Sequence, residues 1–179
     1  ELGYEIHCRM GDHIALRRLL LKAGAECGIR EFGFNALLSL RLEKGFGIWS
    51  AEFTQGYTPG MTGMDRWIDW EKEKFIGQAA AIKERDGNGP AQKLVMLEID
   101  ADDADASGYE PVWNKDSLVG FVTSGGYGHT LQKSLAMALV NSDLANESQK
   151  LKVHVVGVEK DAQVIQASPY DPEGSVMRV

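Results

Sequence analysis

The segment Val119-Gly-Phe-Val-Thr-Ser-Gly-Gly-Tyr-Gly-His-Thr-Leu-Gln-Lys-Ser-Leu-Ala-Met-Ala-Leu-Val140 lies at the centre of the fold that the sequence predicts. Apolar runs at 118–123 and 135–140 flank a stretch rich in glycine and hydroxyl residues. The second run alternates large and small apolar side chains, the period of a buried strand. Glycines allow sharp turns, so the segment predicts two strands joined by a broad glycine loop. The other interpretation, a phosphate cradle, fits neither the Walker nor the dinucleotide spacing.

Composition bounds the class of protein. The chain has 179 residues, of which 44% are hydrophobic and 25% charged, with a net charge of −7. The negative charge argues against a nucleic-acid partner, which requires a concentrated basic surface. No apolar run is long enough to cross a bilayer, so no membrane partner is expected. Cys8 and Cys27 have no metal-like spacing and are interpreted as free thiols in a reducing compartment.

The pattern changes from helical to strand period near the middle of the chain. Before the change we expect a strand at 4–10 and helices at His13–Ala23, Phe34–Lys44 and 77–85, with Leu37, Leu38, Leu40 and Leu42 as core. The run 86–90, Asp-Gly-Asn-Gly-Pro, is the best domain boundary. After it we expect strands at 93–99, 118–123, 134–140, 151–156 and 163–167. The sequence therefore predicts an α+β fold, with a small α/β subdomain at 1–89 and an antiparallel, jelly-roll-like β-barrel at 90–179.

Chemistry-bearing residues are sparse. The four histidines are scattered without metal-ligand spacing, and the acidic run 100–105 lacks the glycine and the closing glutamate of a calcium loop. No serine lies in a nucleophile-elbow context. We therefore assign neither a metal site nor a catalytic residue from the sequence.

Glu5 is the most suggestive polar residue. In a strand at 4–10 it shares a face with His7 and lies beside Tyr4. A carboxylate can accept two parallel N–H bonds from the edge of a planar heterocycle such as a pterin. The alternative, a solvated strand residue, stays open on the residues alone.

Four motifs occur in register along the chain. They are Leu2-Gly3-Tyr4-Glu5-Ile6, Ser39-Leu40-Arg41-Leu42-Glu43-Lys44-Gly45, Phe75-Ile76-Gly77, and Thr123-Ser124-Gly125-Gly126-Tyr127 with Lys133-Ser134-Leu135-Ala136. In order and spacing they resemble the tetrahydrofolate-binding aminomethyltransferase family, which includes the glycine cleavage T-protein and the C-terminal half of dimethylglycine and sarcosine dehydrogenases. Lys44 and Trp49 resemble the dehydrogenase pattern, because T-proteins tend to have Ala and Tyr there.

The resemblance implies a cofactor site. It implies that Glu5, with Tyr4 beside it, holds the pterin ring of tetrahydrofolate, and that Trp49 offers the ligand an aromatic wall, with structural packing as the competing role. T-proteins place an Arg at the position of Leu37, so T-protein-like folate geometry is not expected. The catalytic Asp and the FAD domain of the dehydrogenases belong to regions that precede this chain in the family. We therefore expect a fragment that is inactive alone.

The function that the resemblance implies belongs to a longer protein. It would oxidise an N-methyl amine with FAD and pass the one-carbon unit to tetrahydrofolate. The alternatives are a T-protein-like aminomethyltransferase without flavin and a non-catalytic structural or interaction module. The expected location is the cytoplasm, or the mitochondrial matrix in a eukaryote. The sequence does not predict the oligomeric state.

Overall fold

The computed structural model describes residues 3–178, so Leu2 of the first motif lies outside the described residues. The N-terminal part is helical. Its elements are α1 (His13–Ala23), α2 (Phe34–Lys44), the short α3 (Pro59–Thr62) and α4 (Gln78–Asp86), with 3₁₀ turns at Met10–Asp12, Ala25–Cys27 and Asp65–Trp67. No helix within 3–178 combines the length and apolarity that crossing a membrane requires.

Local signals set the helix ends. Gly24 follows the last residue of α1, and Gly45 ends α2 in the left-handed region with φ 75°. Only glycine adopts that conformation without steric cost, which is why it terminates helices so often. Thr58 caps α3 by accepting a hydrogen bond from the backbone N of Met61 at 3.2 Å. The helices predicted at His13–Ala23 and Phe34–Lys44 are confirmed.

The strand predicted at 4–10 is wrong. Residues 3–9 are irregular and lead into the 3₁₀ turn at Met10–Asp12. A strand requires backbone hydrogen bonds to a neighbour. Every strand pair within the described residues belongs to the barrel beyond residue 91, so this segment has no partner for its alternating pattern.

The C-terminal part is a closed, six-stranded antiparallel barrel, which confirms the predicted fold class. Its strands are β1 (Gln92–Ile99), β2 (Pro111–Asn114), β3 (Ser117–Gly128), β4 (Lys133–Asn141), β5 (Lys150–Val155) and β6 (Val158–Ile165), in the order β1-β4-β3-β2-β5-β6. β2 was not predicted because it has only four residues, begins with Pro111 and shifts register between Val112 and Trp113. β6 begins at Val158, five residues before the predicted start.

The broad glycine loop is also wrong. β3 continues through the glycines to Gly128, and the turn occupies only 129–132. Instead, the lack of a side chain on Gly125 lets the backbone of a neighbouring segment lie close to β3. A Cβ on Gly125 would lie 2.5 Å from the carbonyl oxygen of Ala106.

Two apolar clusters stabilise the barrel. The interior cluster contains inward-facing residues of the strands, among them Leu97, Val122, Ala138, Val153 and Val164. A second cluster lies outside the barrel, where Leu42 of α2 packs with Met96, Leu135 and Met137. Helix α2 therefore contacts the outer surface of the barrel, and this contact positions the residues that follow α2.

The predicted helix core is only partly confirmed. Leu42 is buried and Leu38 is half-buried, but Leu37 and Leu40 are 44% and 50% exposed. Helix α1 buries no residue at all. Within the described residues, the apolar side chains of α1 and those of Leu37 and Leu40 in α2 therefore lack a covering surface.

Candidate functional site

Buried charges join the end of α2 to the barrel, and we call this region the α2–barrel seam (residues 41–52 with 123–131 and 171). Glu52 is fully buried; its Oε1 accepts hydrogen bonds from the hydroxyls of Thr123, at 2.7 Å, and Ser124. Its Oε2 accepts one from the backbone N of Ile48 at 2.8 Å and lies 3.5 Å from Nη1 of Arg41. With four donors around it, Glu52 has little capacity left for a ligand, and its role is structural.

Arg41 is the cationic partner in this seam. Its Nη1 donates to Oγ of Ser124 at 3.0 Å, and its side chain is only 9% exposed. Burial lowers the pKa of the guanidinium, while the charge of Glu52 opposes that shift. The buried Nε has no hydrogen-bond partner among the described residues. An ion pair this buried is costly to break, because either partner alone would remain as an uncompensated charge.

Two further residues of the last α2 turn fix other segments. Oε1 of the buried Glu43 accepts hydrogen bonds from the backbone N of Thr130, at 2.7 Å, and of Leu131, at 2.9 Å, which fixes the turn between β3 and β4. Nζ of Lys44 donates to the backbone carbonyl of Asp171 and lies 3.5 Å from its Oδ2. The end of α2 thus positions both a barrel turn and the C-terminal segment.

The predicted pterin-binding residues Glu5 and Tyr4 lie on the solvent-facing N-terminal segment. Oε2 of Glu5 is 3.7 Å from Nε2 of His7, with both side chains almost fully exposed, and Tyr4 is 82% exposed. The carboxylate of Glu5 is therefore free to accept hydrogen bonds from a ligand. The pairing of Glu5 with His7 agrees with the common face that the sequence predicted, although the strand is absent.

Trp49 lies on an ordered turn with its ring exposed. The carbonyl of Ile48 accepts hydrogen bonds from the backbone N of Ala51 and Glu52, and the Trp49 side chain is 78% exposed. With its side chain this exposed, Trp49 does not act as a packing residue within the described part of the chain, which was the competing role. Within residues 3–178 no hydrogen bond, ion pair or aromatic contact joins Trp49 to the segment that carries Glu5. Trp49 therefore makes no such contact with Tyr4 or Glu5, which are neighbours in the chain. The roles of all three residues stay predictions.

Sequence reasoning missed the seam itself. The apolar pattern of α2 assigns no role to Arg41 or Glu43, and Glu52 lies in a stretch without any period. The available signal was charge within an apolar pattern, because Arg and Glu are almost never fully buried unless they are paired. The described residues contain no cluster of three or more His, Cys, Asp or Glu side chains suited to an ion. Cys8 and Cys27 are both free and exposed.

The fold is that of a known class of transferase. The crystal structure of glycine cleavage system aminomethyltransferase T from Bartonella henselae superposes with a TM-score of 0.77 over 88% of this chain and 44% of that one. At 24% identity this likeness establishes the fold alone.

Sequence comparison identifies the family. The glycine cleavage T-protein C-terminal barrel domain matches residues 92–171, and the GCVT N-terminal domain matches residues 1–72. The chain therefore belongs to the glycine cleavage T-protein family, as the four motifs indicated.

Individual relatives fall into two groups. Mitochondrial dimethylglycine dehydrogenase of Rattus norvegicus is 38% identical over 93% of this chain, and that of Homo sapiens is 37% identical. The aminomethyltransferase of Geobacillus sp. (strain WCH70) is 32% identical over 95% of the chain. The chain spans 19% of the length of the first two and 46% of the third.

Proposed function

We propose that this chain acts as the C-terminal part of a longer, tetrahydrofolate-dependent one-carbon transfer enzyme of the dimethylglycine dehydrogenase type. The observation that carries the proposal is the 38% identity to rat dimethylglycine dehydrogenase over 93% of the chain, against 32% for an aminomethyltransferase. In the longer protein an N-methyl amine would be oxidised with FAD outside this chain, and the one-carbon unit would pass to tetrahydrofolate. The names of the mammalian relatives support a mitochondrial location in a eukaryote.

The exposed apolar surface of the helical part supports a longer protein. Its large side chains include Ile14, Leu19, Phe32, Phe34, Leu37 and Leu40, each at least 44% exposed. Large apolar side chains left exposed in this number support a contact with other folded protein. We propose that preceding polypeptide of the same protein covers this surface and completes the folate site.

Within that site, Glu5 is proposed to hold the pterin. The exposed carboxylate offers two acceptor oxygens, which match two parallel N–H groups on a pterin edge. Tyr4 and Trp49 would supply aromatic surface to the planar ligand, since both rings are exposed. Leu37 stands where T-proteins have Arg, so the folate contacts would differ from theirs.

The test is a calorimetric titration of tetrahydrofolate into the longer protein and its Glu5→Gln variant. Gln replaces one acceptor with a donor that would face a donor of the pterin. Charge-assisted hydrogen bonds contribute about 1.5–3 kcal/mol, so affinity should fall about tenfold to a few hundredfold. Glu26→Gln, at another exposed carboxylate of the helical part, is the matched control and should leave affinity unchanged. Equal affinity for wild type and Glu5→Gln would overturn the assigned role.

A second measurement separates the candidate functions. The flavin absorbance spectrum of the longer protein distinguishes a dehydrogenase from a T-protein-like aminomethyltransferase, which would lack it. A non-catalytic module would show neither flavin nor folate binding. Leu37→Ala should affect this chain alone only slightly, because Leu37 is 44% exposed and not buried as the helix pattern predicts.

A further inference from the structure

An open cleft of about 1010 Å³ lies at one end of the barrel. Ile99, Leu151 and Ala162 line it, and all three belong to the interior cluster of the barrel. The cleft therefore opens onto the end of the barrel core and has an apolar floor. It is formed by strand ends and the 100–105 loop, and none of the predicted folate-site residues lines it.

Ser134 gives this cleft an unsatisfied polar group. It lies on β4 at the period of the interior residues Ala136 and Ala138, so its side chain points into the barrel at the end where the cleft opens. The residue is only 3% exposed, and its Oγ has no hydrogen-bond partner among the described residues. Buried hydroxyls are nearly always paired, so this one keeps unused hydrogen-bonding capacity at the wall of the cleft.

The acidic side chains of the cleft differ in whether they are already paired. Four of its six carboxylates have a lysine partner: Glu98 with Lys133, Asp102 and Asp103 with Lys160, and Asp161 with Lys152. Asp100 and Asp105 have no ion-pair partner within residues 3–178. These two carboxylates flank the loop that borders the cleft, and they remain available for a cation.

Two lysines also line the cleft, against six carboxylates, so the lining keeps a net negative charge. Lys133 precedes the inward-facing Ser134, and Lys150 precedes the inward-facing Leu151. Successive strand side chains point to opposite faces, so both lysines leave their strands on the outer side of the barrel, as the paired carboxylates Glu98 and Asp161 do. Tyr127, which is 39% exposed, also lines the cleft and adds an aromatic surface of the kind that attracts organic cations.

We propose that this cleft binds a small aliphatic ammonium compound that carries a hydroxyl group at its other end. The ammonium group would pair with Asp100 and Asp105, and the alkyl stem would lie on the apolar floor. The hydroxyl would reach Ser134 and satisfy its buried Oγ. This site is separate from Glu5 and Trp49 and does not depend on the proposed folate function.

The experiment titrates four five-carbon probes into the purified chain: 5-amino-1-pentanol, pentylamine, 1,5-pentanediol and pentanoate. Backbone amide NMR shifts identify the site, and their dependence on probe concentration gives each dissociation constant. At millimolar concentrations the two ammonium probes should shift the amides of Ser134 and Leu151. The amino alcohol should bind about two- to tenfold more tightly than pentylamine, the range expected for one added hydrogen bond.

Variants assign the contacts. Replacing both Asp100 and Asp105 with Asn should weaken both ammonium probes about fivefold or more, as expected for two exposed charge contacts. Ser134→Ala should remove the advantage of the amino alcohol and leave pentylamine unchanged. Asp116→Asn, in the turn between β2 and β3 and outside the cleft, removes the same charge type and should change nothing.

Three outcomes would overturn the proposal. These are no shift with any ammonium probe, binding of pentanoate as tight as that of pentylamine, and unchanged affinity in the Asp100→Asn and Asp105→Asn double variant. Circular dichroism of each variant confirms that the barrel has folded. The result is independent of whether the longer protein binds folate.

Discussion

Arg41 and Glu52 form an ion pair of 3.5 Å in which neither side chain is more than 9% exposed. The pair lies where α2 meets β3, and Ser124 of β3 contacts both members. Charge and hydrogen bonding, in addition to apolar packing, therefore determine how the helical part rests on the barrel. Replacing both members of such a pair with apolar residues of similar volume is often neutral or stabilising, whereas removing one member alone is costly.

Removing one member of this pair should destabilise the chain strongly. Arg41→Met retains the length of the side chain but leaves Glu52 buried without its cation. We expect the free energy of unfolding to fall by about 3–5 kcal/mol, measured by urea denaturation. Adding Glu52→Leu should recover part of the loss, because the uncompensated charge is then gone. A double variant no more stable than Arg41→Met would contradict the electrostatic explanation.

A methyl group at Gly125 should disturb the contact between β3 and the segment that carries Ala106. The added Cβ would lie 2.5 Å from the carbonyl oxygen of Ala106, which is too close without a backbone shift. We expect Gly125→Ala to cost about 1–3 kcal/mol of unfolding free energy. Gly11→Ala is the control, because its Cβ would meet nothing within 4 Å. Equal urea midpoints for the two variants would refute the steric role.

The contacts of Asp171 hold the C-terminal segment to the end of α2, and their contribution to the free energy of unfolding should depend on pH. Burial by itself would raise the pKa of its carboxyl, but hydrogen bonds from the backbone N of Val176 and Ser175, together with Lys44, hold that pKa below its usual value. A lowered folded-state pKa stabilises the fold above the unfolded pKa of about 4, and this stabilisation is lost as pH falls through the folded pKa.

The Asp171→Asn variant tests this linkage. Asn tolerates the left-handed backbone of residue 171, where φ is 47°, so the change is mainly electrostatic. The variant should be less stable than wild type at pH 7, and the difference should shrink as the pH falls below about 4. Urea midpoints across this pH range measure it, with Asp116→Asn as the control. A stability difference that does not vary with pH would exclude the mechanism.

The run 86–90 should be the first site of limited proteolysis. Helix α4 ends at Asp86, β1 begins at Gln92, and residues 87–89 are exposed between them. We predict that this exposed link between 1–89 and 90–179 is cut first, near Gly87 to Gly89. Mass spectrometry should then identify two fragments, which the buried contacts of the α2–barrel seam keep associated. First cleavage within 46–57 would argue against that boundary.

The sequence alone determined the features that depend on local physics. Periodicity and glycine stops placed α1 and α2, because helix formation and termination involve neighbours within about four residues. Alternation placed most barrel strands, since a buried strand shows its period wherever it pairs. The family, and with it the predicted roles of Glu5, Tyr4 and Trp49, also followed from motifs kept in order along the chain.

Only the tertiary structure decided which residues meet across the chain. The glycines within 124–128 predicted a loop. In the structure they pair with β4 and belong to strand β3. The segment 4–10 has the alternating pattern of a strand. No neighbouring strand within the described residues pairs with it, so its backbone is irregular. Glu52 and Ser124 are 72 positions apart and share a hydrogen bond that no local pattern signals. A buried charge is stabilised by its partner in space, and periodicity along a chain carries no information about that partner.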